Sequence, residues 1–356
     1  LCLTGLAWTA EMGQVGQTEW TLVDADRNDR EVPCSVWYPE ALDTTYPAVV
    51  FAHGFVMGPG DYEGLAHGLV EAGYVFVSLG TEQGFAPDHT AYGLDLAFVA
   101  TQVVANAVGG VLDGLLNGRV AIAGHSMGGG AAWLAAEANP PVDAFVGLAP
   151  AETNPSAVAA GGSISAPTMV VSGTGDAVTP PSTQHVPLYE SVGAAECKAF
   201  VSIVDGGHCG FADPGTLCDF GELGFQGLTH AEQLALTLDV VVPWLNAFLA
   251  DDANAVNELE GVAAETVELE VEIDCATSIT ATAIDLYELS IGCSPGGHCT
   301  VSHTSDEAMW IQLWSPIGTL VAEKAVKPSS EWRVNLSPGT YIATANQVVS
   351  QKFMIH

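Results

Sequence analysis

The chain has 356 residues, of which 48% are hydrophobic and 14% charged, so it can bury a sizeable core and lacks the composition of a disordered segment. Eight Lys and Arg stand against 42 Asp and Glu, a formal net charge of −34. That balance excludes a nucleic-acid or anionic-membrane partner held by basic patches, because both affinities come from Lys and Arg. It fits either a salt-exposed surface or a plain bias of composition.

No apolar run of about 20 residues is present, so no membrane span is expected. Residues 1–8 are apolar but short and lack a positive flank, and are read as the remnant of a trimmed leader. Eight Cys point to an oxidising compartment, hence a secreted or periplasmic protein. Their local spacing favours Cys209–Cys218 and Cys293–Cys299 as disulfides.

From residue 18 onward the first pattern is a hairpin, 19–23 and 32–38, joined by a polar turn. The turn residues Asp24, Asp26, Asn28 and Asp29 resemble the start of a calcium loop. They lack its Gly and its closing Glu, so a solvated hairpin tip is the better reading. Continuous apolar runs follow at 48–52, 74–79, 119–123, 144–149, 168–172 and 198–204, as expected of strands buried on both faces of a parallel sheet. Helical patterns lie between them at 62–72, 92–104, 127–138, 181–192 and 231–249. The alternation predicts an α/β domain over residues 1–250, a doubly wound, mostly parallel sheet.

Residues 251–265 are polar and read as a linker. Beyond them the period becomes strand-only, at 267–273, 279–289, 309–314, 319–325, 332–336, 339–345 and 348–355, predicting an all-β, sandwich-like accessory domain over 266–356. Trp310 and Trp314 share a face of one strand and, with Trp332, offer either core or a platform for a polymer surface. Cys293, His298, Cys299 and His303 have metal-ligand chemistry, but in an oxidising compartment a disulfide loop is preferred and no metal or cofactor is expected.

The chemistry concentrates in Gly124-His125-Ser126-Met127-Gly128, which follows a predicted strand and opens a predicted helix. A G-x-S-x-G turn in that setting lifts the serine hydroxyl clear of the sheet, at the positive end of the helix dipole. A serine needs a base held against it and an acid that orients the base. Asp176 and His208 satisfy the chain order and the topology, each on a glycine-rich loop after a strand. His185, His230, His298 and His303 are weaker bases by position, and Asp205 is read as shaping the loop of His208. Oxyanion donors are expected from the backbone N–H of Met127 and of Phe55, in the loop His53-Gly54-Phe55; His53 is expected to brace that loop.

These pieces, with Gly175-Asp176 and Gly207-His208-Cys209-Gly210-Phe211, resemble the α/β-hydrolase superfamily over residues 18–250. Within it they resemble serine esterases of the dienelactone-hydrolase, chlorophyllase and cutinase-like polyester-hydrolase group. The resemblance implies Ser126, Asp176 and His208 as triad and Phe55, Met127 and Val178 as lining of the acyl site. It implies hydrolysis of small or polymeric carboxylic esters through an acyl-enzyme. Lipase or acyltransferase chemistry, or a surface-binding role of the β-domain, are the alternatives. Polyester hydrolases of this group carry a Trp after the strand at 144–149, where this chain reads Ala149-Pro150-Ala151-Glu152-Thr153-Asn154, so an aromatic clamp is not expected there.

Overall fold

The computed structural model describes residues 15–41, 44–252 and 254–275, and further on 290–293, 298–302, 309–314, 320–327, 330–336, 339–345 and 348–355. It divides into two units, residues 1–278 and 279–356.

The first unit opens with the antiparallel hairpin β1 (Val15–Asp24) and β2 (Arg30–Pro39), in register from Val15↔Pro39 to Asp24↔Arg30. Then follow β3 (Tyr46–Ala52), α1 (Glu63–Glu71), β4 (Val75–Leu79), α2 (His89–Val104), β5 (Leu116–His125) and α3 (Met127–Ala135). The chain continues through β6 (Ala144–Leu148), a short α4 (Ala157–Ala160), β7 (Thr168–Gly173), α5 (His185–Ser191) and β8 (Cys197–Ile203). It ends with α6 (His230–Leu249), α7 (Ala255–Glu265) and β9 (Leu269–Cys275). The nine strands form one sheet in the order β1-β2-β4-β3-β5-β6-β7-β8-β9, parallel from β4 to β8 and antiparallel at both ends.

Alternation along the strands builds two cores, one on each face of the sheet. In β3, Ala48, Val50 and Ala52 face the layer that holds Tyr92 and Leu96 of α2, Trp133 of α3 and Leu188 of α5. Val49 and Phe51 face the other layer, with Leu65 of α1, Trp244 of α6 and Leu259 of α7. The hairpin is fastened to α2 by charge. Arg30 grips Asp95 at 2.8 and 2.7 Å, Arg27 reaches the same carboxylate at 2.8 Å, and Asp95 is fully buried. The turn that resembled a calcium loop is instead a short helical turn, with Asp24 accepting from the backbone N–H of Asp26.

The structure moves the domain boundary. The stretch read as linker folds as α7, whose Ala255, Leu259 and Val262 pack inward between acidic residues. The first strand assigned to the accessory domain, 267–273, falls in β9, which is the outer strand of the large sheet, paired with β8 from Cys197↔Cys275 to Ile203↔Leu269 and joined to it by the Cys197–Cys275 disulfide. β9 alternates Leu269, Val271 and Ile273 with Glu270, Glu272 and Asp274, the pattern of any half-exposed strand, so its sequence does not say which sheet it joins.

The second unit holds seven described strands: β10 (Ser290–Cys293), β11 (His298–Ser302), β12 (Met309–Trp314), β13 (Leu320–Val326), β14 (Trp332–Asn335), β15 (Gly339–Ala345) and β16 (Val348–Ile355). They form two antiparallel sheets, β10-β11-β14 and β13-β12-β15-β16. Both contribute to one small core, with Val301, Ile311, Leu313 and Trp332. Cys293 stands opposite Cys299 in the register, and Cys299 is disulfide-bonded. Trp332 is buried and Trp310 is 45% exposed. The predicted strand at 279–289 lies outside the described residues. Among the described residues no helix is long and apolar enough to cross a membrane.

Candidate active site

Ser126 sits between β5 and α3 with φ 55° and ψ −121°, a backbone conformation that costs energy for any residue with a Cβ. Two close approaches hold it there. A Cβ on Gly124 would collide with the backbone of Gly128, and one on Gly128 would collide with the carbonyl of Ala52 on β3. The turn is therefore wedged between two strands and its own helix, and the Ser126 hydroxyl stands at the helix N-terminus, where N–H groups have no intrahelical acceptor.

The acid and base arrive from neighbouring strands. Asp176 leaves the end of β7, and His208 follows β8 after Asp205, which has φ 56°. His208 Nε2 lies 2.9 Å from Ser126 Oγ, and its Nδ1 lies 2.7 Å from Asp176 Oδ2. Asp176 Oδ1 accepts the N–H groups of Val178 at 2.8 Å and Thr179 at 2.7 Å. Burial pushes the Asp176 carboxyl up, but its hydrogen bond and attraction to His208, with the Thr179 N–H, outweigh this and hold it below the usual carboxylate range. All three residues expected from sequence are thus brought into one hydrogen-bonded series. Such a series can move a proton from the hydroxyl to the imidazole and keep the imidazolium paired.

The backbone of His208 is held as firmly as its ring. Its N–H and that of Cys209 are both given to the Glu222 carboxylate, at 2.5 and 2.8 Å. Its carbonyl accepts from His125 Nε2 at 3.0 Å. Gly207, one residue before, exchanges two hydrogen bonds with the Gln233 amide on α6, each 2.8 Å. The helical turn Leu217–Glu222, which carries Glu222, is tied to the residue after His208 by the Cys209–Cys218 disulfide anticipated from spacing.

The expected oxyanion loop borders the same network. Gly54 N–H is given to the Tyr62 hydroxyl at 2.9 Å, and that hydroxyl meets His125 Nδ1 at 2.8 Å. His53 is fully buried with its ring nitrogens on the carbonyls of Gly54 and Thr81, a bracing position. Met127 opens α3 and is nearly buried; Phe55 and Val178 are 50% and 43% exposed, and the Phe55 ring packs edge-on to Phe85 at 6.4 Å.

The other carboxylates and histidines near these strand ends fall elsewhere. Asp143 pairs with Arg119, Asp213 accepts from the N–H of Gly64, and His230 opens α6 against Asp219. His185 is the exception, since its Nε2 lies 3.6 Å from Asp176 and its Nδ1 2.7 Å from Ser172 Oγ. Ser172 is 1% exposed inside β7, so this second pair has no substrate-facing hydroxyl. Sequence reasoning missed Thr179, Tyr62, Glu222 and Gln233. Tyr62, Glu222 and Gln233 contribute through partners distant in sequence, and no local spacing marks such a contact. Thr179, three residues past Asp176, was the one within reach as a turn residue.

A parallel sheet with its serine on a strand–helix elbow and its acid and base on the following strand ends defines an α/β-hydrolase. Residues 32–224 match the PET hydrolase-like family, and the chain belongs to that family. Among characterised relatives, it is 29% identical over 176 residues to the bis(hydroxyethyl) terephthalate hydrolase of Streptomyces coelicolor, covering 49% of this chain and 54% of that protein. It is 26% identical over 175 residues to cutinase est1 of Thermobifida alba, covering 49% and 57%. Cutinase 1 of Thermobifida cellulosilytica is 26% identical over 170 residues, covering 48% and 62%. The chain thus spans little more than half the length of the curated relatives it matches.

Proposed function

We propose that the protein is a secreted carboxylic-ester hydrolase that works through an acyl-enzyme on Ser126, with polyesters or cutin-like esters as its substrate class. The observation that carries this reading is the Ser126 Oγ to His208 Nε2 contact of 2.9 Å on a strained elbow. His208 takes the proton as Ser126 attacks the carbonyl carbon, and Asp176 holds the imidazolium. The N–H groups of Phe55 and Met127 stabilise the oxyanion, the alcohol leaves with the proton from His208, and a water activated by the same base releases the acid.

Support for the substrate class comes from the relatives' names and from the rim of the site. Phe55, which follows Gly54 and packs on Phe85, and Val178, whose N–H is held by Asp176, are exposed with Phe85, as are Leu217, Phe220 and Leu223 on either side of Glu222 in sequence. An open apolar rim suits a chain laid across the serine better than a small polar ester. The disulfides Cys197–Cys275 and Cys209–Cys218 support secretion. Polymer contact by the accessory β-domain, through exposed Trp310, is part of the same proposal.

The test is turnover of p-nitrophenyl esters from acetate to palmitate, and release of acid from bis(hydroxyethyl) terephthalate, with wild type and Ser126→Ala. Cleavage of short and medium esters by the wild type, with a loss of roughly 10⁴-fold or more in the variant, is expected. Variant activity within tenfold of wild type overturns the assignment.

A further inference from the structure

Behind Asp176, on the side away from Ser126, lies a second polar series that the reaction as written does not use. Ser172 Oγ is 2.7 Å from His185 Nδ1, and His185 Nε2 is 3.0 Å from Thr179 Oγ1. Thr179 Oγ1 is in turn 2.9 Å from Asp176 Oδ2 and 2.9 Å from His208 Nδ1. Ser172, His185, Thr179 and Asp176 are all buried.

We propose that Ser172, His185 and Thr179 form a donor relay that fixes the Asp176 carboxylate for His208, with Thr179 as the positioning residue through which it acts. This rests on Ser126, His208 and Asp176 being the reacting set.

Burial lowers His185 from 6.5 to about 4, so at neutral pH its ring carries a single N–H. Two arrangements satisfy it. In the first, Ser172 O–H is given to Nδ1, Nε2–H is given to Thr179, and Thr179 O–H is given to Asp176 Oδ2. Asp176 then holds four donors: the N–H groups of Val178 and Thr179, the Thr179 hydroxyl, and His208 Nδ1–H. In the second, Nδ1–H is given to Ser172 and the Thr179 hydroxyl turns to His185 Nε2. The Thr179 oxygen would then face the Asp176 carboxylate with no proton between them, and would compete with it for the N–H of His208. The carboxylate's charge selects the first arrangement. The carbonyl of Ala149, 3.3 Å from Thr179 Oγ1, is the other acceptor in reach, but it is uncharged and farther away. Since Thr179 Oγ1 is as close to the base as to the acid, its orientation sets how strongly Asp176 holds the imidazole.

The experiment measures kcat and KM on p-nitrophenyl butyrate, and the low-field ¹H resonance of the His208 Nδ1 proton, for wild type, Thr179→Val, Thr179→Ser and Ser172→Ala. Loss of one charge-assisted hydrogen bond predicts a fall in kcat of roughly ten- to a hundredfold for Thr179→Val, with KM within about twofold. Thr179→Ser restores kcat to within about threefold, and Ser172→Ala, which frees the ring to change tautomer, lowers it about three- to tenfold. The Nδ1 proton resonance shifts in Thr179→Val and keeps its position in Thr179→Ser. An unchanged kcat or an unmoved resonance in Thr179→Val overturns the relay, as does equal loss in Thr179→Ser. Should Thr179→Val fail to fold, Ser172→Ala decides by the same readouts. Ser126→Ala in the same assay separates the two readings: a dead Ser126→Ala beside a fully active Thr179→Val refutes the relay alone, whereas an active Ser126→Ala removes the reacting set on which it rests.

Discussion

Replacing Tyr62 by Phe removes a single oxygen from the network that joins the loop His53-Gly54-Phe55, proposed to supply an oxyanion donor, to His208. The direction of that network follows from what each group can do. The carbonyl of His208 only accepts, so His125 carries its proton on Nε2 and offers a lone pair at Nδ1. The Tyr62 hydroxyl fills that lone pair and accepts the N–H of Gly54. Burial raises the Tyr62 phenol above its ordinary range and lowers the His125 imidazole well below its own, so both shifts favour the neutral forms this arrangement uses.

The ring itself survives the substitution. It packs edge-on to Phe51 at 4.8 Å, and Phe preserves that contact. What changes is that the Gly54 N–H and His125 Nδ1 both lose their partner inside a buried site. At about 1–3 kcal/mol for each unsatisfied group, the loss is about 2–6 kcal/mol, or roughly 4–24 °C in Tm for a domain of this size. Calorimetry on wild type and Tyr62→Phe measures it. Because Gly54 immediately precedes Phe55, whose N–H is proposed as an oxyanion donor, kcat is expected to fall roughly tenfold with KM nearly unchanged. A Tm loss under about 2 °C would refute the claim that these groups depend on the hydroxyl. A large Tm loss with full kcat would refute the link to the oxyanion donor.

Three further outcomes are expected. Gly128→Ala places a methyl group against the carbonyls of Ala52 and His53, both backbone atoms that cannot rotate away, so it should cost more than about 3 kcal/mol or abolish soluble expression; a Tm within 3 °C of wild type would show that the elbow is looser than its contacts imply. Asp95→Asn leaves the Arg27 and Arg30 guanidinium groups without their buried counter-charge and should destabilise by about 3–5 kcal/mol in urea unfolding, whereas an effect under about 1 kcal/mol would mean that Glu82 and Asp24 suffice. Stability should also fall as the pH drops from 6.5 toward 4: the unfolded chain takes up a proton on His185 that the folded one refuses, a difference of about 3 kcal/mol, fully absent above 6.5. His125 acts in the same direction; Asp176, being depressed, keeps its contribution until the pH falls below its ordinary 3.8. Urea unfolding of His185→Gln at pH 7 and 4.5 should show a smaller loss than wild type, and equal losses would contradict this.

The parts of the fold that were legible in the sequence are those where local pattern and tertiary role coincide. β3, β4 and β7 are buried on both faces, so each appears as an unbroken apolar run, and the runs found at 48–52, 74–79 and 168–172 match them to within two residues. The elbow was legible because its chemistry is contiguous: the strand end, the strained serine and the helix start fall within five residues. α7 and β9 were misassigned because their outward faces are acidic in a chain where Asp and Glu far outnumber Lys and Arg. In such a chain a polar stretch is poor evidence of a linker, since a helix needs only Ala255, Leu259 and Val262 on one side to pack.

The site divides along the same line. Chain order, with each residue at the end of its own strand, is what singled out Ser126, Asp176 and His208, the set proposed to react. His185, Tyr62 and Glu222 were not singled out, because their contacts are with partners 13 to 63 positions away: Ser172 for His185, His125 for Tyr62 and His208 for Glu222. A histidine inside a predicted helix gives no hint that the helix begins at that residue, nor that its ring faces the acid of the site instead of water. The distinction has a physical basis. Reacting groups must converge on one point and are therefore placed by the topology of the sheet, which sequence periodicity reveals. The groups that fix their orientation need only be buried and polar, and any loop that passes behind the sheet can supply them. A hydrolase of this fold can thus keep its reacting residues while changing the residues that orient them, and in this chain the proposed relay of Ser172, His185 and Thr179 is where that difference is to be measured.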